Sequence, residues 1–433
     1  MTADAGTEEL ETRAGSPTTA AQSPIPTVDD LIARAVELRP ALREEQAATE
    51  ERGRPTEEMH RKLVEAGFYK AFTPRRYGGY EYTLHDFARL VINLAQGCPS
   101  TAWFFAFGAG HSITLGAFYS REVQDEVFGP DGHFQAPHSG RGENATARRV
   151  DGGWIVDGFW PYCSGAPYAT HMMGTAKILN EDGTPAENSP PRTVVVVVPA
   201  GSYTMLDDWG ATLGMRGTGS NSIKVENAFI PEGYATEWKA TDETYRTPGL
   251  ELHGSPLYMG RWKPGYSNES QAVLIGATKL ALDAYEDILK TRRLIRPGVI
   301  SDMRRFMEVG HQRNFGQALV TVESAEALLV RAGQMHHEHL DRYKRDGTPY
   351  TDLQEELVTH LVRQAGTIAT NAMDLIFASA GSKAAVDGDV IQRCFRDVST
   401  IKTHASSQFL DNVPSLAKRY FGIAEAPRAP SGG

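Results

Sequence analysis

The spacing of hydrophobic residues changes twice along the chain and divides it into three parts. Between residues 27 and 127 the apolar positions recur at helical spacing, beginning with Val28 and Leu31. Between residues 128 and 233 apolar and polar positions alternate, as expected for strands joined by Gly-, Pro- and Asn-containing turns. From residue 267 to 422 helical spacing returns. The pattern predicts an α+β protein with an N-terminal α-helical domain, a middle β-sandwich or β-barrel domain and a C-terminal four-helix bundle.

The same periodicity gives approximate bounds for the individual elements. The helix predicted over 100–118 is apolar all round, which indicates burial. The full set is helices from Val28 and over 57–66, 85–96 and 100–118, strands over 147–156, 172–179, 193–198 and 222–229, and helices over 271–291, 303–343, 352–380 and 389–410.

Three segments lack a clear period. Residues 1–26 and 423–433 are small, polar and Pro-containing, which predicts disordered tails. Residues 234–266 carry several aromatic side chains without periodicity, which predicts a long irregular loop over a pocket.

Composition argues against several classes of partner. The chain has 433 residues and a net charge of -10 without basic runs, so nucleic acid and anionic membranes are not expected partners. No apolar run reaches the ~18 residues of a membrane-spanning helix, and the N-terminus lacks the basic start and apolar core of a secretory signal. The scattered Cys98, Cys163 and Cys394 suit neither a disulfide framework nor a zinc site. We therefore expect a reduced, cytoplasmic location and no metal.

Residues 152–165, Gly-Gly-Trp-Ile-Val-Asp-Gly-Phe-Trp-Pro-Tyr-Cys-Ser-Gly, are the first candidate for chemistry. Alternation through Trp154 and Trp160 predicts a strand that continues to Tyr162. Ser164, two residues on, would then lie on the same side as the Tyr162 ring. A flat redox cofactor uses such a ring face and such a hydrogen-bond partner. The residues alone leave open that the aromatic side chains only fill a sandwich core.

Histidines supply the other candidates. His111 is the only titratable side chain in the helix predicted over 100–118. A lone imidazole there is more often a hydrogen-bonded core residue than a catalytic base, and the pattern does not decide between the two. His336, His337 and His339 precede a basic turn, which predicts a solvated helix end rather than a metal site.

Four stretches, in the same order, resemble one family of enzymes. They are Cys98-Pro-Ser-Thr-Ala-Trp103 followed by His111, Gly158-Phe-Trp-Pro-Tyr-Cys-Ser-Gly165, Leu213-Gly-Met-Arg-Gly-Thr-Gly-Ser220, and Gln392-Arg-Cys-Phe-Arg-Asp-Val398 followed by His404. Through them the chain is similar, over about residues 28–420, to the oxygenase components of two-component flavin monooxygenases such as 4-hydroxyphenylacetate 3-hydroxylase. The resemblance implies the acyl-CoA dehydrogenase fold.

The resemblance also implies a role for each site residue. Ser164 would hydrogen-bond flavin N5 and hold a C4a-hydroperoxide, whereas its alternative role is a turn serine bonded to its own backbone. His111 would take up the phenol proton, and His404 would contact the substrate or the hydroperoxide. The other implied contacts are Trp103 with the substrate, Trp160 and Tyr162 with the isoalloxazine ring, and Arg216, Thr218 and Gly381 with the flavin phosphate region.

The C-terminal motif distinguishes this chain from the dehydrogenases of the same fold. Those enzymes commonly carry Arg-Asp-Ala-Arg and then Tyr-Glu-Gly-Thr, whose glutamate is the catalytic base. Here Arg396-Asp397 is kept, but Ala405 stands where a base would be needed. A base on another helix, Glu269 or Glu286, stays open.

No Gly-x-Gly-x-x-Gly follows a predicted strand, so no NAD(P)H site is indicated. Gln312 also stands where dehydrogenases carry the arginine of Arg-x-x-Phe-Gly that holds FAD of a neighbouring subunit. The resemblance implies an oxygenase component that receives reduced FMN or FAD from a separate NAD(P)H:flavin reductase. It would use O2 to hydroxylate a small aromatic, phenolic substrate, as a homotetramer or homodimer. Alternatives are an acyl-CoA dehydrogenase or oxidase, an N- or S-oxygenating member of the fold, and a non-catalytic scaffold.

Overall fold

The first part of the chain is helical. A computed structural model describes residues 25–140, 142–186, 192–237, 246–261, 263–296 and 299–423, so the predicted tails lie almost wholly outside the described residues. Thr27 and Thr83 form capping boxes at the starts of the first and third helices. The helices are α1 (Val28–Arg52), α2 (Glu57–Glu65), α3 (Leu84–Ala95), α4 (Pro99–Ala109), α5 (Ser112–Phe118) and α6 (Arg121–Phe128).

The prediction of a single helix over 100–118 is wrong in one respect, because the segment is divided between α4 and α5. At the junction the amides of Ile113 and Thr114 bond carbonyls three residues back, at 3.3 and 3.0 Å, so the α-helical ladder is interrupted. Gly110 packs there against the Glu269 carboxyl, and a Cβ on Gly110 would lie 1.6 Å from Oε1. Close packing of another helix, invisible to local periodicity, accompanies the break and leaves His111 just before α5.

The middle part forms a mixed sheet in the order β6-β7-β3-β2-β4-β5-β8, with β1 parallel to β4. Alternating valines bury both faces of β5, where Val194 and Val195 belong to different core clusters. One of these clusters includes side chains of α5 and α6, so it attaches the sheet to the N-terminal helices. The strands are β1 (His138–Ser139), β2 (Glu143–Val150), β3 (Gly153–Trp160), β4 (His171–Leu179), β5 (Thr193–Pro199), β6 (Thr204–Met205), β7 (Ile223–Pro231) and β8 (Ala235–Glu237).

The strand predicted over 147–156 is wrong, because it spans the end of β2, a turn and the start of β3. Gly152 has φ +74°, which closes the turn and reverses the chain. Arg149 pairs with Trp154 across the resulting antiparallel ladder. Apolar alternation on both sides of a short turn looks like one strand in the sequence.

Helices return in the last part with more interruptions than the sequence predicts. The segment 303–343 begins in a strand, because a β-hairpin precedes the second long helix, and the helix predicted over 389–410 ends at Ile401. In segment 234–266, the described residues contain β8, a short helix and the start of the long helix from Lys263 rather than only irregular loop, and residues 238–245 and 262 lie outside the described ranges. The elements are α7 (Pro248–His253), α8 (Lys263–Thr291), β9 (Arg293–Arg296), β10 (Val299–Arg304), α9 (Val309–Asp346), α10 (Asp352–Ala380), α11 (Val390–Ile401) and α12 (Phe409–Tyr420). Within the described ranges, no helix has the length and apolarity to cross a bilayer.

A buried ion cluster fixes the segment that precedes α8. Arg261 is buried and bonds Asp352 at 2.5 Å and Glu355 at 3.1 Å at the start of α10. Burial raises the pKa of Glu355, whereas Lys263 and Arg261 lower it. Farther back, the Tyr258 hydroxyl donates to the Phe72 carbonyl at 3.0 Å. Both contacts anchor the chain between α7 and α8.

The histidines of α9 are only partly solvated, which corrects one prediction. His336 is buried with Nδ1 3.2 Å from the Tyr350 hydroxyl, and the His339 ring stacks on Tyr350 with centroids 4.6 Å apart. His337 lies 3.3 Å from the Asp341 carboxylate. The described residues contain no group of His, Cys, Asp and Glu able to hold a metal.

A clamp formed by Arg396, Asp397 and Thr400 of α11 joins the bundle to the loop before β7. The Asp397 carboxyl accepts the Met215 N–H at 2.6 Å, and Thr400 Oγ1 accepts the Gly214 N–H at 2.9 Å. Arg396 donates to the Leu213 carbonyl at 2.8 Å. The same guanidinium pairs with Glu50 of α1. All three parts of the chain therefore meet at this clamp.

The clamp predicts a dependence of stability on pH. Burial raises the pKa of Asp397 to about 6, against the smaller lowering effects of the Met215 N–H and Arg396. The pKa of Asp397 is higher in the folded than in the unfolded protein. The contribution of Asp397 to the free energy of unfolding is therefore fully present below about pH 4 and is lost as the pH rises through about 6. In an Asp397→Asn variant, the amide oxygen can still accept the Met215 N–H, but the side chain does not titrate.

We expect the unfolding free energy of the wild type, minus that of Asp397→Asn, to fall by about 2 to 3 kcal/mol between pH 4 and 7. Denaturant titrations of both proteins at several pH values measure this difference. A difference that stays constant over the range would contradict the raised pKa.

Candidate active site

The segment that follows β3 carries the residues predicted to contact a cofactor. Tyr162 has φ +59° and a ring that is 69% exposed, 5.8 Å from the Trp209 ring between centroids. Ser164 instead is only 8% exposed. The expectation that Tyr162 and Ser164 share one side of a continuing strand is therefore wrong, because β3 ends at Trp160 and the left-handed Tyr162 turns the chain.

Ser164 lies in a row of buried hydroxyl groups. Its Oγ is 2.8 Å from Ser220 Oγ, which is 2.7 Å from Thr218 Oγ1. Thr218 donates to the Met215 carbonyl at 2.9 Å. At the other end, Trp103 Nε1 donates to Ser164 Oγ at 2.9 Å. We call these three side chains, Ser164, Ser220 and Thr218, the hydroxyl row.

The Trp103 ring connects the hydroxyl row to the bundle. Trp103 stacks on Phe107, with ring centroids 4.2 Å apart. The His404 ring is nearly perpendicular to both, with centroids 5.4 Å from Trp103 and 5.9 Å from Phe107. His404 Nδ1 lies 2.6 Å from Ser406 Oγ, and that hydroxyl lies 2.6 Å from Ser270 Oγ on α8. Trp103 thus brings together two predicted site residues that are 240 positions apart in the sequence.

His111 follows the end of α4, the helix that carries Trp103 and Phe107. His111 Nδ1 lies 2.9 Å from the Ala136 carbonyl oxygen. An oxygen of this kind can only accept, so Nδ1 carries the proton when the ring is neutral. Burial lowers the pKa of His111 to about 4, despite hydrogen bonding to backbone carbonyls. The imidazole is therefore neutral at pH 7.

Three further polar groups surround His111, and two of them carry no signal in the sequence. The His138 ring lies 5.3 Å from the His111 ring, and Tyr266 bonds His138 Nδ1. Burial, followed by the charge of His111, lowers the pKa of His138 to about 3. Glu269, one turn after Tyr266, is buried, and burial raises its pKa well above the usual range. His138 and Tyr266 join the site only through the packing of β1 and α8.

Trp160 lies in the core of the β domain. Its ring is fully buried, and Nε1 donates to the Thr175 carbonyl at 3.1 Å. Gly158 and Gly174 make room for it, since a Cβ on either would lie within 3 Å of the ring. A direct contact of Trp160 with a cofactor is therefore the predicted role that the geometry supports least.

The residues predicted for phosphate binding lie in two places. Arg216, partly exposed, donates from Nε to the Thr212 carbonyl at 2.6 Å and lies 3.7 Å from Glu50. Thr218, in contrast, is buried in the hydroxyl row. Gly381 ends α10 with φ +90°, next to Arg305, which donates to the Ala380 carbonyl at 3.2 Å. Gly381 is thus associated with an arginine of the bundle rather than with Arg216.

Comparisons with known proteins agree with this architecture. Residues 28–129 match the N-terminal domain of acyl-CoA dehydrogenase and residues 270–409 match its C-terminal domain. The chain is 30% identical over 385 residues to a pigment production hydroxylase of Rhodococcus sp., covering 89% of this chain and 94% of the relative. It is 28% identical over 389 residues to the oxygenase subunit HsaA of a flavin-dependent monooxygenase of Rhodococcus jostii, covering 90% and 96%.

A solved structure shows the same fold. The crystal structure of 3-HSA hydroxylase from Rhodococcus sp. RHA1 superposes with a TM-score of 0.81 at 25% identity, covering 92% of this chain and 98% of that one. The matches extend over all three parts of the chain, including the β domain that carries the hydroxyl row. The chain belongs to the flavin-dependent monooxygenases whose oxygenase components have the acyl-CoA dehydrogenase fold.

Proposed function

We propose that the site around Trp103 binds reduced FMN or FAD and hydroxylates a small phenolic substrate with O2. The observation that carries the proposal is the double contact of Trp103, whose Nε1 bonds Ser164 while its ring makes a T-shaped contact with His404. Ser164 of the β domain, the proposed partner of the flavin, and His404 of the bundle, the proposed partner of the substrate, therefore both contact one rigid indole ring.

The side chains near the end of β3 fit an aromatic, anionic cofactor. The exposed Tyr162 ring offers a face for stacking. The buried Trp209 Nε1 beside it has no hydrogen-bond partner among the described residues, so it is a donor in need of an acceptor. Arg216 adds a partly exposed guanidinium that suits a phosphate. Donors, ring face and charge match what a flavin nucleotide presents.

A bound reduced flavin supplies the activation of O2 and the transfer of one oxygen atom. The protein supplies orientation, a dry site and control of protons. We infer that Ser164 accepts a hydrogen bond from the flavin edge, while Trp103 and Phe107 exclude water from the substrate side. Thr218 influences the flavin only indirectly, through the hydroxyl row. Gly381 and Arg305 form a second proposed position for binding phosphate.

His111 handles the substrate hydroxyl in this proposal. With Nδ1–H committed to Ala136, Nε2 is the basic nitrogen and can accept a hydrogen bond from a phenol. A pKa of about 4 disfavours full proton uptake, since an efficient base has a pKa near the working pH. We therefore assign His111 the polarisation of the phenol O–H, which raises electron density at the ortho carbon, with His404 as the second polar contact.

The geometry gives little support to the dehydrogenase alternative. Glu269 is buried, and burial raises its pKa well above the usual range, which favours the neutral carboxyl over the carboxylate that a base requires. Glu286 is partly exposed and pairs with Lys290 on the same helix. Burial of Glu269 and the ion pair of Glu286 both disfavour the role of a catalytic base.

The proposal includes partners outside this chain. Reduced flavin would come from a separate NAD(P)H:flavin reductase. We infer a homotetramer or homodimer, in which exposed apolar side chains of the C-terminal part would be covered by a second copy of the chain. They include Phe306, Met307, Val309, Val320 and Leu410. Three buried, unpaired cysteines agree with a reduced, cytoplasmic location.

The charge state of His111 can be measured directly. With histidine carrying a carbon-13 label at Cε1, we expect the His111 NMR signal to stay in its neutral position from pH 8 down to about 5. His111→Gln assigns the signal, and the urea-unfolded protein should titrate near 6.5. A midpoint near 6.5 in the folded protein would contradict the effect of burial.

The function itself is tested by mixing the anaerobic complex of protein and reduced FMN with O2 and phenols, beginning with 4-hydroxyphenylacetate. We expect hydroxylated product in the wild type. In Ser164→Ala, about tenfold less product per flavin oxidised is expected, with the balance appearing as hydrogen peroxide, because a hydrogen bond of about 1.4 kcal/mol is removed.

Ser139→Ala is the matched control, because its hydroxyl bonds the Pro161 carbonyl at 3.1 Å outside the hydroxyl row. It should behave as the wild type. Oxidation of flavin at the rate seen in buffer, without product from any phenol, would show that the proposed function is wrong.

His111→Ala should lower the rate of hydroxylation about 10- to 100-fold while flavin still binds, since the group that polarises the phenol is removed. Single-turnover product yield and flavin affinity measure the two effects separately. His339→Ala, which removes a partly buried histidine stacked on Tyr350, is the control. Full product yield in His111→Ala would remove the assigned role.

A further inference from the structure

The direction of every hydrogen bond in the hydroxyl row follows from the number of protons available. Each hydroxyl has one proton to donate. Thr218 donates its proton to the Met215 carbonyl, which cannot donate in return. The contact of 2.7 Å between Thr218 and Ser220 must then use the Ser220 proton. For the same reason the contact of 2.8 Å between Ser220 and Ser164 uses the Ser164 proton.

Ser164 is consequently an acceptor toward any ligand. Its proton is committed to Ser220, and one of its two lone pairs receives the Trp103 N–H. One lone pair remains. Turning the Ser164 hydroxyl so that its proton points to a ligand would break its hydrogen bond to Ser220. Both hydroxyls are buried, and a buried polar group without its partner is unfavourable.

The two oxidation states of a flavin differ at the atom that would meet Ser164. N5 of a dihydroflavin carries a hydrogen and donates, whereas N5 of the oxidised ring has a lone pair and accepts. An acceptor at Ser164 therefore matches the reduced ring and opposes the oxidised one. This difference exists only while the Ser164 proton points to Ser220.

We propose that Ser220 and Thr218 are positioning residues that fix the Ser164 hydroxyl as an acceptor, so that the site selects reduced over oxidised flavin. The inference rests on the proposed flavin site and assigns a task to two residues that touch the flavin only through Ser164. The Met215 carbonyl ends the row, and the N–H of the same residue is held by Asp397. The row is therefore fixed to the clamp between domains.

The test is the ratio of the dissociation constants of oxidised and reduced FMN, measured anaerobically by fluorescence titration. In Ser220→Ala the Ser164 proton is released and can turn to oxidised N5. We expect the ratio to fall about three- to tenfold, mainly because oxidised FMN binds more tightly. Thr218→Val removes the acceptor of Ser220 and should lower the ratio in the same way.

Two variants serve as controls of the hydroxyl itself. Thr218→Ser keeps the proton donated to Met215 and should restore the wild-type ratio. Ser139→Ala removes a buried hydroxyl outside the row and should leave the ratio unchanged. Circular dichroism and the melting temperature of each variant establish that it is folded, and Thr218→Val keeps the inference testable if Ser220→Ala does not fold.

A flavin analogue locates the effect at N5. In oxidised 5-deaza-FMN a C–H group replaces N5, so neither orientation of Ser164 gains a hydrogen bond. Ser220→Ala should therefore leave the affinity for this analogue unchanged, while it raises the affinity for oxidised FMN.

The outcomes separate the inference from the proposed function. If the wild type binds reduced FMN and forms product, but Ser220→Ala and Thr218→Val keep the wild-type ratio, the positioning role is wrong and the proposed function stands. An equal gain in affinity for FMN and 5-deaza-FMN would also overturn the positioning role. If the wild type fails to bind reduced FMN, both proposals fall.

Discussion

The hydrogen bond from Trp103 Nε1 to Ser164 is the contact on which the organisation of the site depends. It joins α4 of the N-terminal helices to the turn after β3, and the same indole contacts His404 beyond α11. A polar contact between domains, buried from water, is specific in geometry because an indole has a single donor. The clamp of α11 on Met215 adds a second fixed point nearby. Together the two contacts fix residues from all three parts of the chain around the candidate site.

Local periodicity predicts long elements well, and tertiary contacts explain where it fails. The apolar spacing in α10 and the unbroken run of valines in β5 reflect burial directly, so both elements appear where the sequence places them. The break between α4 and α5 depends on a carboxyl group from α8, and the end of β3 depends on the left-handed backbone of Tyr162. Neither the close approach nor the non-glycine positive φ has a local signature.

The site shows the same division between what the sequence contains and what folding adds. The resemblance identified His111, Ser164 and His404 by their order in the chain, and the fold places Ser164 and His404 on one tryptophan. Trp160 carried the same aromatic signal but fills the core of the sheet. Ser220 ends one of the four stretches that carry the resemblance, but the sequence alone assigns it no role. Its position 2.8 Å from Ser164 Oγ reveals one. Pairing between residues far apart is information that a single sequence does not contain.

The buried Arg261 cluster has a consequence for variation among related enzymes. Arg261 bonds Glu355 at the start of α10, and Tyr258 bonds the Phe72 carbonyl, so the stretch ahead of α8 is fixed at two points by residues distant in the sequence. A change of sequence in α7 would therefore leave α8, with Tyr266 and Glu269, where it is. Related enzymes can vary α7 while the helix that carries these two side chains keeps its position.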